Sequence, residues 1–219
     1  MQYKAVLFDM DGTVLDTLGD LANAVNHVLG EFGMPPRSRE EVASFLGNGA
    51  AWLLAHAVPA GTDEAKTAEI LRVYQPWYDA HCAILTAPYP GIVPMMEALR
   101  AAGVKQAVIS NKQDSAVRLL AQEHFPGLLE AAVGEGPTVR RKPNPDAVLA
   151  ALRAMGVARE EAVYVGDTEV DLETARNAGL ACAIVGWGFR TDEALLAAGA
   201  ERIFHSADEL RDWLLEETA

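Results

Sequence analysis

Five short apolar runs, at residues 5–8, 106–109, 131–133, 162–165 and 181–185, alternate with longer segments of helical hydrophobic period. Each run is rich in β-branched residues, and most lead through a polar or glycine-bearing turn into a helical pattern. Helix starts are readable between them. Asn144-Pro145 sets a capping residue before a proline suited to a first helical turn, and Ser206-x-x-Glu209 is a capping box ahead of Leu210, Trp213 and Leu214. Strand–helix alternation of this kind predicts an α/β chain whose parallel sheet carries helices on both faces.

One stretch breaks the alternation. From about Thr17 to Cys82 no strand pattern occurs. Leu18, Leu21, Ala22, Val25 and Leu29 repeat at helical spacing, Ser38-x-x-Glu41 is a further capping box, and residues 63–78 read as another helix. A helical domain at 17–82, inserted into a core formed by 1–16 and 83–219, is therefore expected. The length of 219 residues accommodates it, against roughly 150 per domain. The chain carries 18 basic and 31 acidic residues, a formal charge of −13, which argues against nucleic acid or an anionic membrane as partner. Any anionic substrate must then meet a local cation or metal. Cys82 and Cys182 form no pair motif and read as free thiols in a reducing cytoplasm. Met1-Gln2-Tyr3-Lys4 leads straight into the first run without a signal peptide, and the longest uncharged apolar stretch, 178–189, is short and broken by glycines. A cytoplasmic protein is expected.

In open parallel sheets ligands bind outside the carboxyl ends of the strands. Asp9-Met10-Asp11-Gly12-Thr13 follows the first run and Ser110-Asn111-Lys112 the second. Arg140-Arg141-Lys142-Pro143 lies beyond the third, and Gly166-Asp167 with Asp171 follows the fourth. Singly these are helix caps, turns and solvated loops; together they gather carboxylates, a hydroxyl and an ammonium group at one sheet edge. Crowded carboxylates repel, so Asp9, Asp11, Asp167 and Asp171 require a cation or raised pKa values. An all-oxygen set suits a hard ion, foremost Mg²⁺, while the five histidines show no zinc-ligand spacing. Two acids one residue apart can divide labour. Asp9 is expected to attack phosphorus as nucleophile, and Asp11 to protonate the leaving alcohol and then activate water. Gly12 would let backbone N–H groups approach the phosphoryl oxygens, Ser110 would donate to another, and Lys142 would neutralise developing charge.

In order and spacing, Asp9-Met10-Asp11-Gly12-Thr13, Ser110-Asn111, Lys142-Pro143 and Gly166-Asp167-x-x-x-Asp171 resemble the four signature motifs of the haloacid dehalogenase superfamily. The resemblance implies a Rossmann-like core, a mobile helical cap inserted after the first motif, and a phosphotransferase, because the dehalogenases lack the second acid. It also implies magnesium held by the Asp9 carboxylate, the Asp11 main-chain carbonyl and Asp167, with Asp171 a ligand or a residue just behind one. Asp16-Thr17, Gly47-Asn48-Gly49-Ala50, Pro88-Tyr89-Pro90-Gly91, Asn111-Lys112 and Gly186-Trp187-Gly188 are most similar to the phosphoglycolate phosphatase group. The expected substrate is thus a small phosphorylated metabolite, foremost 2-phosphoglycolate, hydrolysed by a monomer or homodimer. Substrate contacts are expected from Gly12, Thr13, Asn111, the 47–49 loop and Arg190, the last suited to a carboxylate. From the residues alone the loop could be an ordinary turn and Arg190 a surface residue. Trp52, Trp77, Tyr74 and Tyr78 are expected to pack helices, and the apolar stretch 50–58 to form either insert core or a subunit contact. A β-phosphoglucomutase-like mutase, a pyrophosphatase and another sugar-phosphate phosphatase are the rival enzymes. A phospho-acceptor signalling module is the rival of another class.

Overall fold

The computed structural model describes residues 3–216. Met1, Gln2 and residues 217–219, which the expected core included, lie outside the described residues. Strand β1 (Ala5–Phe8) is followed by a tight turn and β2 (Leu15–Asp16). Helices α1 (Leu18–Glu31), α2 (Arg39–Ser44), α3 (Gly49–Ala57) and α4 (Glu64–His81) come next. Strand β3 (Ala87–Pro88) then pairs antiparallel with β2, closing the helical insert with a narrow ribbon. Beyond it lie α5 (Ile92–Ala101), β4 (Lys105–Gln113), α6 (Asp114–His124), β5 (Ala131–Glu135) and α7 (Asp146–Met155). The chain ends with β6 (Ala162–Gly166), α8 (Glu169–Ala178), β7 (Ala181–Val185), α9 (Asp192–Ala197), β8 (Ile203–Phe204) and α10 (Ala207–Glu216).

The six-stranded sheet has the order β5-β4-β1-β6-β7-β8, and every pair in it is parallel. Alternation along β1 shows how the sheet is covered. Val6 and Phe8 pack with α5, α6 and α10, whereas Ala5 and Leu7 pack with α7 and α8. A strand buried on both faces must be apolar throughout, which is why these runs lack a polar period. The chain departs from β1 in both directions, to β4 on one side and β6 on the other, so the switch point lies at the carboxyl end of β1.

The insert folds by the rules its sequence states. Ser38 Oγ accepts from Glu41 N at 3.1 Å while Glu41 accepts from Ser38 N at 2.8 Å, completing the capping box of α2. Asp63 caps α4 by accepting from Lys66 N at 2.7 Å. Val25, Val28, Leu54, Ile70 and Tyr74 are buried and continue the apolar cluster of one sheet face. Among the described residues, no helix is long and apolar enough to cross a membrane.

Candidate active site

Asp9 follows β1 directly, and its N–H still donates to Val165 O at 2.8 Å, so the backbone holds the sheet register as the side chain enters the site. The next residues turn sharply. The amides of Thr13, Val14 and Leu15 converge on Met10 O at 3.3, 3.1 and 3.0 Å, and Gly12 N donates to Leu15 O at 2.9 Å. Gly12 has φ +83°, and a Cβ there would stand 2.3 Å from Asp167 Oδ2. The glycine thus serves both a left-handed turn and the space of a carboxylate.

Asp9, Asp167 and Asp171 are buried and offer oxygens that all lie within 4.8 Å of one another. Burial raises the Asp9 carboxyl to about 7, with Asp171 and Asp11 adding repulsion against the attraction of Lys142. Burial, and then Asp171 and Asp9, push Asp167 well above the carboxylate range. Three acids so placed fit a hard cation in donor chemistry and charge. Their roles differ. Asp171 has both oxygens engaged: Oδ1 accepts from Lys142 Nζ at 2.8 Å, and Oδ2 from Asp167 N, Thr168 N and Thr168 Oγ1 at 3.2, 3.1 and 2.8 Å. Asp167 accepts from Thr13 Oγ1 at 2.8 Å and Phe189 N at 2.9 Å, and each oxygen keeps lone pairs to spare. Asp9 and Asp167 could therefore hold a metal, with Asp171 fixing the frame behind them.

Lys142 stands among these acids. Its ammonium lies 2.8 Å from Asp9 Oδ1, 2.8 Å from Asp171 Oδ1 and 3.0 Å from Tyr164 Oη. Burial alone would depress it, yet Asp171 and Asp9 hold it well above the usual lysine range, so it stays charged. Asn111 fastens the loop that carries it. Its Oδ1 accepts from Lys142 N at 2.7 Å, and its Nδ2 donates to Lys142 O at 3.0 Å and to Gly47 O at 3.0 Å.

A cavity of about 50 Å³ opens between Asp9, Asp11, Ser110 and Lys112 of the core and Leu21, Leu46, Gly47, Gly49, Leu53, Tyr74 and Tyr78 of the insert. Asp11 pairs with Lys112 Nζ at 2.8 Å, and the same ammonium donates to Tyr78 Oη at 2.7 Å. Burial, then Asp11 nearby, pushes the Tyr78 phenol well above its ordinary range, so it stays neutral. Ser110 Oγ accepts from Lys112 N at 3.2 Å and keeps its hydroxyl hydrogen for another acceptor.

The structure brings Asp9, Asp11, Ser110, Lys142, Asp167 and Asp171 to one sheet edge. Several residues expected to contact substrate have protein partners here. The Gly12 amide and the Thr13 hydroxyl are spent within the turn and on Asp167, and the Asn111 amide on the Lys142 loop and Gly47. Asn111, Gly47 and Gly49 line the cavity; Asn48 does not, and its carbonyl accepts from Arg141 at 3.0 Å. Arg190 is also turned away. It pairs with Glu169 at 2.8 Å and donates to Leu46 O at 2.8 Å and Ala43 O at 3.3 Å, closing the end of α2. Tyr74 and Tyr78, expected chiefly to pack helices, line the cavity as well as stacking on each other, centroids 5.6 Å apart. Lys112, placed at the sheet edge with Ser110 and Asn111, had no assigned task, and Gln113 was not expected in the site. Their signal was the polar end of the second apolar run, which continues as strand to Gln113 with a register shift after Ile109.

Residues 6–185 match the haloacid dehalogenase-like hydrolase family. Phosphoglycolate phosphatase 1 of Pseudomonas aeruginosa is 34% identical over 218 residues, covering 96% of this chain and 78% of that protein. A crystal structure from Lactobacillus delbrueckii subsp. bulgaricus, provisionally named a phosphoglycolate phosphatase, superposes with TM-score 0.94 at 37% identity, covering 99% of this chain and 100% of its own. A CbbY variant from Rhodobacter sphaeroides, crystallised with xylulose-1,5-bisphosphate, gives TM-score 0.79 at 26% identity over 95% of this chain and 96% of its own.

Proposed function

This chain belongs to the haloacid dehalogenase-like hydrolase family, and from that premise we propose that it is a Mg²⁺-dependent phosphate monoesterase acting through an aspartyl-phosphate on 2-phosphoglycolate. The observation that carries the reading is Asp9 set between the Lys142 ammonium at 2.8 Å and the Asp167 carboxylate, and facing a cavity that Asp11 also lines. That arrangement supports a nucleophile held by a cation beside a separate proton donor.

Asp9 attacks phosphorus; the bond from Asp9 oxygen to phosphorus forms as the ester P–O bond breaks. Asp11 gives its proton to the departing alcohol oxygen. A water molecule then gives a proton back to Asp11 and attacks phosphorus, releasing phosphate and restoring the Asp9 carboxylate. Ser110 donates to a phosphoryl oxygen, and Lys142 keeps Asp9 ionised and oriented. Asp9 and Asp167 and, as the family resemblance implies, the Asp11 main-chain carbonyl would hold magnesium, which would supply positive charge against the phosphoryl oxygens. Thr13 and Phe189 N hold Asp167, and Asp171 holds Lys142, so the machinery needs little rearrangement on binding.

Residues 17–82 act as a cap over a core of 1–16 and 83–219. Its Gly47 and Tyr78 line the cavity, and Leu21, Leu46 and Leu53 add an apolar wall that disfavours water beside the reacting groups. Space favours a short ester. A cavity of about 50 Å³ holds a few water-sized groups, which suits a phosphoryl group with a two-carbon tail better than the sugar bisphosphate bound to the CbbY variant. Two free thiols, Cys82 and Cys182, support a cytoplasmic setting. The test is phosphate release from a panel of esters. Release from 2-phosphoglycolate with the highest kcat/KM, abolished by EDTA and restored by Mg²⁺, is expected. Isomerisation of a sugar phosphate without phosphate release would overturn the reading.

A further inference from the structure

We infer that Lys112, with Tyr78 beside it, is the subsite that receives a carboxylate on the leaving group, so that the enzyme selects esters of short hydroxy acids. The inference rests on the phosphatase reading and goes further by naming the residues that choose the substrate class. Arg190, the sequence-based candidate for that task, has its guanidinium engaged by Glu169, Ala43 O and Leu46 O and does not line the cavity. Lys112 carries the one basic side chain among the residues that do.

Position decides the assignment. Asp11 must reach the ester oxygen to protonate it, and Lys112 Nζ lies 2.8 Å from the Asp11 carboxylate. The ammonium therefore stands beside the departing oxygen, away from Lys142, which sits behind Asp9. A carboxylate attached to the carbon that bears the ester oxygen falls within reach of such a group. An ammonium has three N–H donors, and contacts to Asp11 and Tyr78 account for two, leaving one for a ligand. Tyr78 accepts at 2.7 Å from Lys112 and keeps its own hydrogen for the second carboxylate oxygen. Only 4% of the Lys112 side chain is exposed, so an ionic hydrogen bond formed there is poorly screened. Leu21, Leu46 and Leu53 make part of the surrounding wall apolar, which favours a short acid on that side, while Gln75 and Gln113 also line the cavity. Lys112 comes from β4 and Tyr78 from α4, so the subsite is complete only with the insert seated on the core.

The experiment compares kcat/KM for 2-phosphoglycolate with that for 2-hydroxyethyl phosphate, an ester of equal length whose leaving group is uncharged, in wild type, Lys112→Gln, Lys112→Arg and Tyr78→Phe. Wild type is expected to favour the acid. Lys112→Gln should lower the acid-to-neutral ratio by about tenfold or more, chiefly through KM, with part of it recovered in Lys112→Arg. Tyr78→Phe should lower it several-fold. A lysine that merely steadies Asp11 would depress both esters alike, and an unchanged ratio in Lys112→Gln overturns the subsite. Should that variant fail to fold, Tyr78→Phe decides by the same ratio. A wild type that turns over both esters equally overturns the subsite and spares the phosphatase reading; one that releases phosphate from neither overturns both.

Discussion

Asp171 illustrates how a single residue organises this site without open coordination of its own. Fully buried, it takes the Lys142 ammonium on one oxygen and three donors on the other. Gly166 leaves it room, since a Cβ there would meet Asp171 Cγ at 2.2 Å. Asp171→Ala would leave the lysine with Asp9 and the Tyr164 hydroxyl, and the expected loss is about 3–5 kcal/mol in urea unfolding. Asp9→Asn should abolish turnover with an unchanged circular dichroism spectrum. Asp11→Asn should lower kcat by about 10²-fold or more, as expected for a lost general acid; full activity in either variant would remove its assigned role. Gly12→Ala should weaken Mg²⁺ binding measured by calorimetry, because the added methyl meets Asp167 Oδ2 at 2.3 Å. Unchanged affinity would show that this turn does not shape the ion site. The acids were legible in the sequence because they end or closely follow an apolar run. The tasks of Thr13, Asn111 and Arg190 were not, because each is set by a partner distant in the chain: Asp167, Lys142 and Leu46.

At the scale of elements, the path out of the insert is fastened from within α1. The buried Asp20 carboxylate accepts from the N–H groups of Ile84, Leu85 and Thr86 at 3.1, 2.9 and 2.9 Å, and from Thr86 Oγ1 at 2.9 Å. Asp20→Ala would leave several donors unpaired, and a loss of about 2–3 kcal/mol is expected in chemical denaturation; a shift within error would show that water replaces the carboxylate at no cost. On the other side, Asn111, Arg141 and Arg190 reach from the core to the carbonyls of Gly47, Asn48 and Leu46, so the 46–49 segment is held by side chains on three separate loops or strands. The main strands and the insert helices were readable from hydrophobic period and capping residues. Strands β2, β3 and β8 were not, since two-residue strands carry no period. Lys112 was legible as a polar residue after the second run, but its task was not, because its partners Asp11 and Tyr78 are distant in the chain.

At the scale of the whole molecule, acidity and the proposed ion are coupled. The chain has a net charge of −13, and its buried acids add to the local excess. Burial raises Asp9 from 3.8 to about 7 in the metal-free fold and also raises Asp167. The folded chain therefore binds more protons than the unfolded one across that window, and their contribution to stability falls as pH rises through it. A bound cation favours the ionised acids and opposes the loss, so Mg²⁺ should raise the Tm more at about pH 7.5 than at about pH 5. An equal gain at both would detach the ion from these carboxylates. The central claim is that Asp9 becomes phosphorylated during turnover. Enzyme mixed with radiolabelled 2-phosphoglycolate and Mg²⁺, then quenched in acid within milliseconds, tests it directly: hydroxylamine-labile label should map to the peptide containing Asp9 and be absent from Asp9→Asn. Full turnover with no covalent label, or label on any other residue, would contradict it.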